Sequence, residues 1–62
     1  MHFEFYNNKI AIYEYRQIID LRSDLINLSD IVINGQDLVI KKISKEEIII
    51  EGIIKSILLG EQ

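Results

Sequence analysis

Isoleucine limits what this chain can fold into more than any other feature of it. Fifteen of the 62 residues are Ile, and most of them lie in segments of four to eight residues between turn-forming residues. Segments of this length fit strands and are too short for ordinary helices. Because β-branched side chains favour extended backbone and the chain has no Pro, Asn, Asp, Ser and Gly must supply the breaks. The pattern predicts a single all-β domain over residues 1–62.

Turn residues divide the chain into about seven short strands. The breaks fall at residues 7–8, 23–24, 29–30, 34–35 and 44–47, and at Gly52 and Gly60. Apolar and polar residues alternate between the breaks, although the alternation fails at Lys41-Lys42-Ile43. Consecutive strands joined by short turns predict an antiparallel meander. Such a meander would curl into a small barrel or sandwich, or stack as a solenoid-like sheet.

Two glycines are predicted to be structural turn residues. Asn34-Gly35 separates the apolar runs 31–33 and 38–40, and it is the strongest hairpin signal in the chain, with a loop over residues 34–37. Gly52 interrupts the apolar run 48–59. We therefore expect Gly35 and Gly52 to lie between strands.

The C-terminal apolar run also fits a helix. Ser44 with Glu47 three residues later forms a capping-box pattern ahead of that run. Composition favours a strand instead, because Ile is stiff at χ1 and Gly52 lies in the middle of the run. An α+β fold with a C-terminal helix from about Lys45 is the alternative.

Small size raises the question of what stabilises the domain. A chain of this length buries only about 60% of the surface that its unfolded form exposes. Such domains commonly add disulfides, a structural metal or partner subunits. The sequence has no Cys and only one His, His2, so neither disulfides nor thiolate or imidazole metal sites are available. Self-association is the option that remains.

The sequence also lacks the residue combinations that catalysis requires. A Ser–His pair could use only His2, which lies one residue from a chain end that tends to fray. The sequence has no calcium-loop pattern and no Gly-rich phosphate loop. We therefore predict no catalytic, metal-binding or cofactor-binding residues, and we expect that the protein is not an enzyme.

Charge and hydropathy exclude two further classes of partner. Seven Lys and Arg against ten Asp and Glu give a net charge of −3, without the basic stripe of a nucleic-acid-binding protein. The most apolar stretch, residues 48–59, is interrupted by Glu51 and Lys55, whereas a membrane-spanning helix needs about 20 apolar residues. The first residues also lack the pattern of a signal peptide. We expect no nucleic-acid partner, no membrane span and a cytoplasmic location.

The C-terminal half combines glycines and apolar residues in a recurring pattern. It reads Gly35-Gln36-Asp37-Leu38-Val39-Ile40, then a polar turn, then Ile48-Ile49-Ile50-Glu51-Gly52-Ile53-Ile54-Lys55-Ser56-Ile57. This resembles the YabP/YqfC family of bacterial sporulation proteins, whose pattern is Gly-x-[Asn/Asp]-Leu-x-Ile, a short polar turn and Ile-x-Ile-x-Gly-x-Ile-x-x-Ile. Residues 4–9 are similar to the opening strand and turn of that family. The chain departs from the family at Glu14-Tyr15, where the family has Glu-Gly, and at Ile53, which is often polar there.

The resemblance implies a role in endospore formation. It brings no catalytic residues, and it suggests another sporulation protein as a partner. It also favours strand over helix for the C-terminal run, because the Gly-separated apolar pairs of the family recur as β elements.

Neighbouring apolar residues lead to an inference about assembly. Adjacent side chains of a strand point to opposite faces, so one member of a pair such as Ile53 and Ile54 cannot enter a one-sided core. An apolar second face exposed in a monomer is an aggregation liability. We therefore predict a homo-oligomer whose self-association face includes Ile18, Ile49, Ile53 and Leu58.

Two functions are compatible with these observations. The first is a non-catalytic structural or interaction protein that self-associates and acts in endospore morphogenesis. The second is a small acidic inhibitor or regulatory binding protein, of the kind that phages encode, which masks the surface of a partner protein. Net charge is the only support for the second, and −3 gives weak electrostatic steering.

Overall fold

A computed structural model describes residues 1–60 and contains six strands. They are β1 (His2–Tyr6), β2 (Lys9–Tyr13), β3 (Asp20–Leu21), β4 (Leu25–Asn27), β5 (Ile31–Ile43) and β6 (Glu47–Leu59). All pairings are antiparallel, in one sheet of order β1-β2-β6-β5-β4-β3. The prediction of an all-β fold is therefore confirmed. The sheet is not closed into a barrel, because its end strands β1 and β3 do not pair with each other.

Strands β5 and β6 are much longer than the sequence predicts. The expected break over residues 34–37 is instead part of β5, and the expected break at Gly52 is part of β6. The reason is that residues 31–33 pair with residues 57–59 of β6 and not with residues 38–40. Gly35 and Gly52 thus lie within strands, and the prediction of about seven short strands is replaced by six strands, two of them with 13 residues.

Both long strands bend sharply near their middle. A straight strand of 13 residues would be about 43 Å long, whereas the longest dimension of the Cα trace is 26 Å. The register shifts between Gln36 and Val39, opposite Gly52, which has a φ of +147°. Bulges bend and twist a strand in this way, and glycine adopts the required backbone without a clash of Cβ.

The bend divides the sheet into two arms. We call β1, β2, residues 47–51 of β6 and residues 39–43 of β5 the first arm. The second arm consists of β3, β4, residues 31–36 of β5 and residues 53–59 of β6. The chain passes from the first arm to the second through residues 14–19.

One apolar core is built from both arms. The first arm contributes four Ile residues and the second arm with its β4–β5 turn contributes four residues, while Leu38 lies at the bend. All nine are buried: Ile10, Ile12, Ile26, Leu28, Ile31, Ile33, Leu38, Ile48 and Ile50. The i, i+2 spacing within 10–12, 26–28, 31–33 and 48–50 is the alternation that a strand with one buried face requires.

The helix alternative from Lys45 is not adopted. Residues 47–59 are strand, and the Ser-x-x-Glu pattern closes the β5–β6 hairpin. Ser44 N–H donates to Glu47 O at 2.7 Å, and Glu47 N–H donates to Ser44 Oγ at 3.2 Å. The side-chain bond is the same one that a helix N-cap makes, so this local pattern is compatible with both structures.

Candidate interaction surfaces

The outer face of the first arm carries charge in every cross-strand row. Residues directly opposite each other in antiparallel strands share a face, so the register defines these rows. Each row combines an acidic residue with Lys or His: Tyr6, Lys9, Glu51 and Val39; Glu4, Ala11, Ile49 and Lys42; His2, Tyr13 and Glu47. Balanced charges of this kind are typical of a solvated sheet face.

Ion pairs connect the long strands across this face. Lys42 Nζ lies 3.1 Å from Glu47 Oε1, and Lys41 Nζ lies 3.4 Å from Glu51 Oε1. Asn8 Nδ2 also donates to Glu51 Oε2 at 3.4 Å. The acidic groups on β6 are therefore matched within the chain and leave little net charge to attract a basic partner.

A small polar cluster on β1 shifts two pKa values. Tyr6 Oη–H donates to Glu4 Oε1 at 2.6 Å, and His2 Nε2 lies 3.4 Å from Glu4 Oε2. The hydrogen bond from Tyr6, followed by that with His2, lowers the pKa of Glu4 below 4.5. The same bond to Glu4 raises the pKa of Tyr6 from 10.0 to about 12. Each shift reflects stabilisation of the carboxylate by a phenol that keeps its proton.

The outer face of the second arm is different, because its centre is uncharged. Its rows follow the register of β3, β4, β5 and β6, and charge among residues 1–60 lies at the margins, at Asp20 with its ion-pair partner Arg22 and at Lys55. The central positions are apolar or amide and hydroxyl residues: Leu25, Asn27, Val32, Asn34, Gln36, Ile53, Ser56 and Leu58. An uncharged, partly apolar face of this kind fits a protein–protein contact better than the face of the first arm does.

The four residues predicted for self-association do not form one face. Ile53 and Leu58 both lie on the outer face of the second arm, and their exposed fractions are 54% and 58%. Ile49 is half-buried on the outer face of the first arm, where Ala11 and Lys42 are its cross-strand neighbours. Ile18 is exposed in the segment that joins the arms. The structure therefore brings together two of the four.

Each long strand is an edge strand for half of its length. Within residues 1–60, β2 covers β6 only as far as Glu51, and β4 covers β5 only over residues 32–34. Residues 53–59 of β6 and 39–43 of β5 thus have a strand neighbour on one side alone. Several of the most exposed apolar side chains occur on these two open edges: Val39, Ile43, Ile53, Leu58 and Leu59.

Both open edges contain a bulge with lysine as the extra residue. Ile40 pairs with Ile50 and Lys42 with Ile49, which leaves Lys41 without a cross-strand partner. Ile54 pairs with Gly35 and Ser56 with Asn34, which leaves Lys55 without one. The failure of alternation at Lys41-Lys42 is the sequence signal of the first bulge. Lys55 lies between Ile54 and Ser56, and this part of the sequence gives no such signal.

Two open clefts occur on the surface. One of about 390 Å³ lies at the β1–β2 turn and is lined by Tyr6, Asn7, Asn8, Lys9 and Ile49. The other, of about 370 Å³, is lined by Met1, Arg16, Asp30, Leu59 and Gly60. Neither set of lining residues combines a nucleophile with a His or two carboxylates, so the chemistry of these clefts does not indicate a reaction.

Within residues 1–60, no group of three acidic or His side chains lies close enough together to hold a metal ion. Across the same residues, no helix is long and apolar enough to cross a membrane.

Comparison of this chain with known protein families, with curated proteins and with solved structures found no match.

Proposed function

We propose that this chain is a non-catalytic structural or interaction protein that associates with copies of itself. The observation that carries the proposal is the contrast between the two outer faces. The first arm has an acidic and a basic or His residue in each row, whereas the centre of the second arm is uncharged and exposes Ile53 and Leu58. Burial of exposed apolar side chains is the main driving force for association.

A second copy of the chain is the occupant that fits the second arm. When two copies of one face meet about a twofold axis, the same residues line both sides of the contact. The central positions carry no charge, so this contact brings no like charges together. The amide side chains of Asn34 and Gln36 can donate and accept, and can therefore pair across such an axis.

The size of the face predicts a weak and reversible contact. The strands of the second arm have two, three, six and seven residues. At about 3.3 Å along and about 4.8 Å across the strand for each residue, they cover about 300 Å². Stable interfaces bury about 800 Å² on each partner. We therefore expect association that is detectable only at high concentration, unless a further protein extends the contact.

The proposed setting is endospore morphogenesis, with another sporulation protein as a further partner. Its support is the resemblance to the YabP/YqfC family, carried by Gly35, Leu38, Gly52 and the Ile pattern around them. Both glycines of that pattern lie near the bend on which the common core depends. Deletion of the gene from its source bacterium, followed by counts of heat-resistant spores, tests this setting.

The distribution of charge gives less support to an acidic inhibitor. Four of the acidic residues on the sheet have an ion-pair partner: Glu4, which pairs with His2, and Asp20, Glu47 and Glu51. The acidic residues without one among residues 1–60 lie at separate turns, connectors and the bend: Glu14, Asp24, Asp30, Asp37 and Glu46. A charge-mimicking inhibitor would concentrate them on one face.

Sedimentation equilibrium from micromolar to near-millimolar concentration tests self-association. The variant Ile53→Lys/Leu58→Lys should remain a monomer where the natural chain forms dimers, because two charges are placed at the contact. Val39→Lys is the matched control, since Val39 is 54% exposed, as Ile53 is, but lies on the first arm. A natural chain that stays monomeric throughout, or a double variant with unchanged mass, would contradict the proposal.

A further inference from the structure

Besides its end strands β1 and β3, this sheet has open strand edges along parts of its two longest strands, β5 and β6. An edge strand presents unpaired N–H and C=O groups and can add a strand from another molecule. Residues 53–59 of β6 and 39–43 of β5 offer such edges, with exposed apolar side chains along them. An unprotected molecule with two open edges would be able to grow by strand addition in both directions.

The positions of the bulges coincide with these edges. The register of β5 against β6 shifts at three places. Two of the shifts lie on open edges, and their extra residues are Lys41 and Lys55. The third lies at the bend, where Gly35 N–H donates to Asp24 O and Leu38 N–H donates to Ser23 O. That bulge is covered by the chain, and its extra residues, Asp37 and Leu38, include no lysine.

Charge at a bulge opposes strand addition in two ways. The extra residue interrupts the regular spacing of hydrogen-bonding groups that an incoming strand needs. The ammonium group would also lose water if a strand were added beside it. Lys55 has no ion-pair partner within residues 1–60, so nothing in that part of the chain compensates its charge. Lys41 is partly compensated by Glu51.

We propose that Lys41 and Lys55 guard the open edges of β5 and β6 against strand addition by further copies of the chain. This inference does not depend on contact between the outer faces, since it concerns the edges of the sheet. It predicts that assembly of the natural chain is closed and that loss of the two charges makes it open-ended.

Neutral substitutions of Lys55 alone, and of Lys41 and Lys55 together, test the proposal. Lys55→Thr opens one edge, so two copies should pair through residues 53–59 and the mass should double relative to the natural chain. Lys41→Thr/Lys55→Thr opens both edges, and its mass should rise continuously with concentration, with fibrous particles in electron micrographs. Lys45→Thr is the control, because Lys45 is exposed in the β5–β6 turn and is not on an open edge.

A mixture of two charged variants separates guarding from misfolding. Antiparallel pairing of residues 53–59 about Ser56 places the two position-55 Cα atoms about 8 Å apart. Two Lys or two Glu there repel, whereas one of each attract, so natural chain mixed with Lys55→Glu should form about fivefold more heterodimer than either forms homodimer at low salt. Both components are charged at an exposed position, so neither has lost solubility.

Each outcome decides the question. A doubled mass of Lys55→Thr, a mass of the double variant that grows with concentration, and excess heterodimer in the mixture support the proposal that Lys41 and Lys55 prevent strand addition. The proposal is overturned if the double variant sediments like the natural chain, or if the mass of Lys45→Thr grows to the same extent. A mixture without excess heterodimer overturns the role of charge at position 55, even if the neutral variants aggregate. A natural chain whose mass rises without limit as the concentration rises also overturns the proposal, whereas a finite mass, monomer or dimer, bears only on the contact between outer faces.

Discussion

Gly52 in β6 packs directly against the backbone of Asp37 in β5. A Cβ on Gly52 would lie 2.6 Å from Asp37 O, and the φ of Gly52 is +147°. The short distance and the positive φ have the same cause, because the bulge in β5 brings its backbone over β6 where the two strands bend together. The common core of the two arms therefore depends on the absence of a side chain at position 52.

Gly52→Ala should destabilise the fold by about 2–3 kcal/mol, because it adds a backbone clash to an unfavourable φ. Urea unfolding followed by circular dichroism measures the change. Ser56→Ala, at an exposed position of the same strand, should stay within about 0.5 kcal/mol of the natural chain. A loss for Gly52→Ala as small as that of the control would mean that the bend does not require glycine.

Adjacent residues of β6 should differ in their contribution to stability. Ile50 is fully buried in the core, whereas its neighbour Ile49 is half-buried on the opposite face. Ile50→Val should reduce the free energy of unfolding by about 1 kcal/mol, within the range for removal of one buried methylene. Ile49→Val makes the same chemical change where the surroundings are partly water, and it should cost less. Equal losses would place Ile49 in a buried contact that the isolated chain does not show.

The hydrogen bond between Tyr6 and Glu4 should make stability depend on pH at both extremes of the scale. The pKa of Tyr6 is raised, so its contribution to stability is present below pH 10.0 and is lost as the pH rises through about 12. The pKa of Glu4 is lowered, so its contribution is present above 4.5 and is lost on acidification below that value.

Glu4→Gln should return the pKa of Tyr6 towards 10.0, which NMR titration of the Tyr6 ring measures. Glu46→Gln removes an exposed carboxylate from the β5–β6 turn and serves as the control. A Tyr6 pKa that stays near 12 in Glu4→Gln would assign the shift to a cause other than the hydrogen bond.

Ser44→Ala should loosen the β5–β6 hairpin. The substitution removes the acceptor of the Glu47 N–H and a hydroxyl that donates to Glu47 O at 3.3 Å. Because the turn is exposed, water replaces part of what is lost, and we expect a cost of about 0.5–1 kcal/mol. Amide hydrogen exchange should rise first at Glu47. Unchanged exchange there would show that the backbone bond from Ser44 N–H to Glu47 O is sufficient.

Local pattern predicts a large part of the fold. The buried residues follow the period of two expected of strands, as at residues 10 and 12, although Ile31-Val32-Ile33 and Ile48-Ile49-Ile50 are apolar throughout and do not themselves indicate the buried face. The turns at residues 7–8, 23–24, 29–30 and 44–47 are also at the predicted positions. Asn7 and Ser29 have positive φ, which the short polar side chains tolerate.

The same local reasoning fails for Asn34-Gly35 and for Gly52. Asn-Gly favours a tight hairpin, but whether the chain reverses there depends on which strand residues 31–33 pair with. That partner, residues 57–59, lies over twenty residues away in sequence. Glycine is needed at Gly35 and Gly52 for close approach of two backbones, a requirement that resembles a turn signal in the sequence.

The candidate surface shows the same division. Sequence alone identifies Ile53 and Leu58 as residues that one core cannot hold, since period two is a property of any strand. It cannot assign Ile49 and Ile53 to different arms, because the bend between them changes the direction in which each face points. Nor does it show that Lys41 and Lys55 lie on open edges, because an edge is defined by the strands that end before it. The side chains that a strand presents follow from its own sequence, whereas the strands that lie beside it depend on how the two arms enclose a common core.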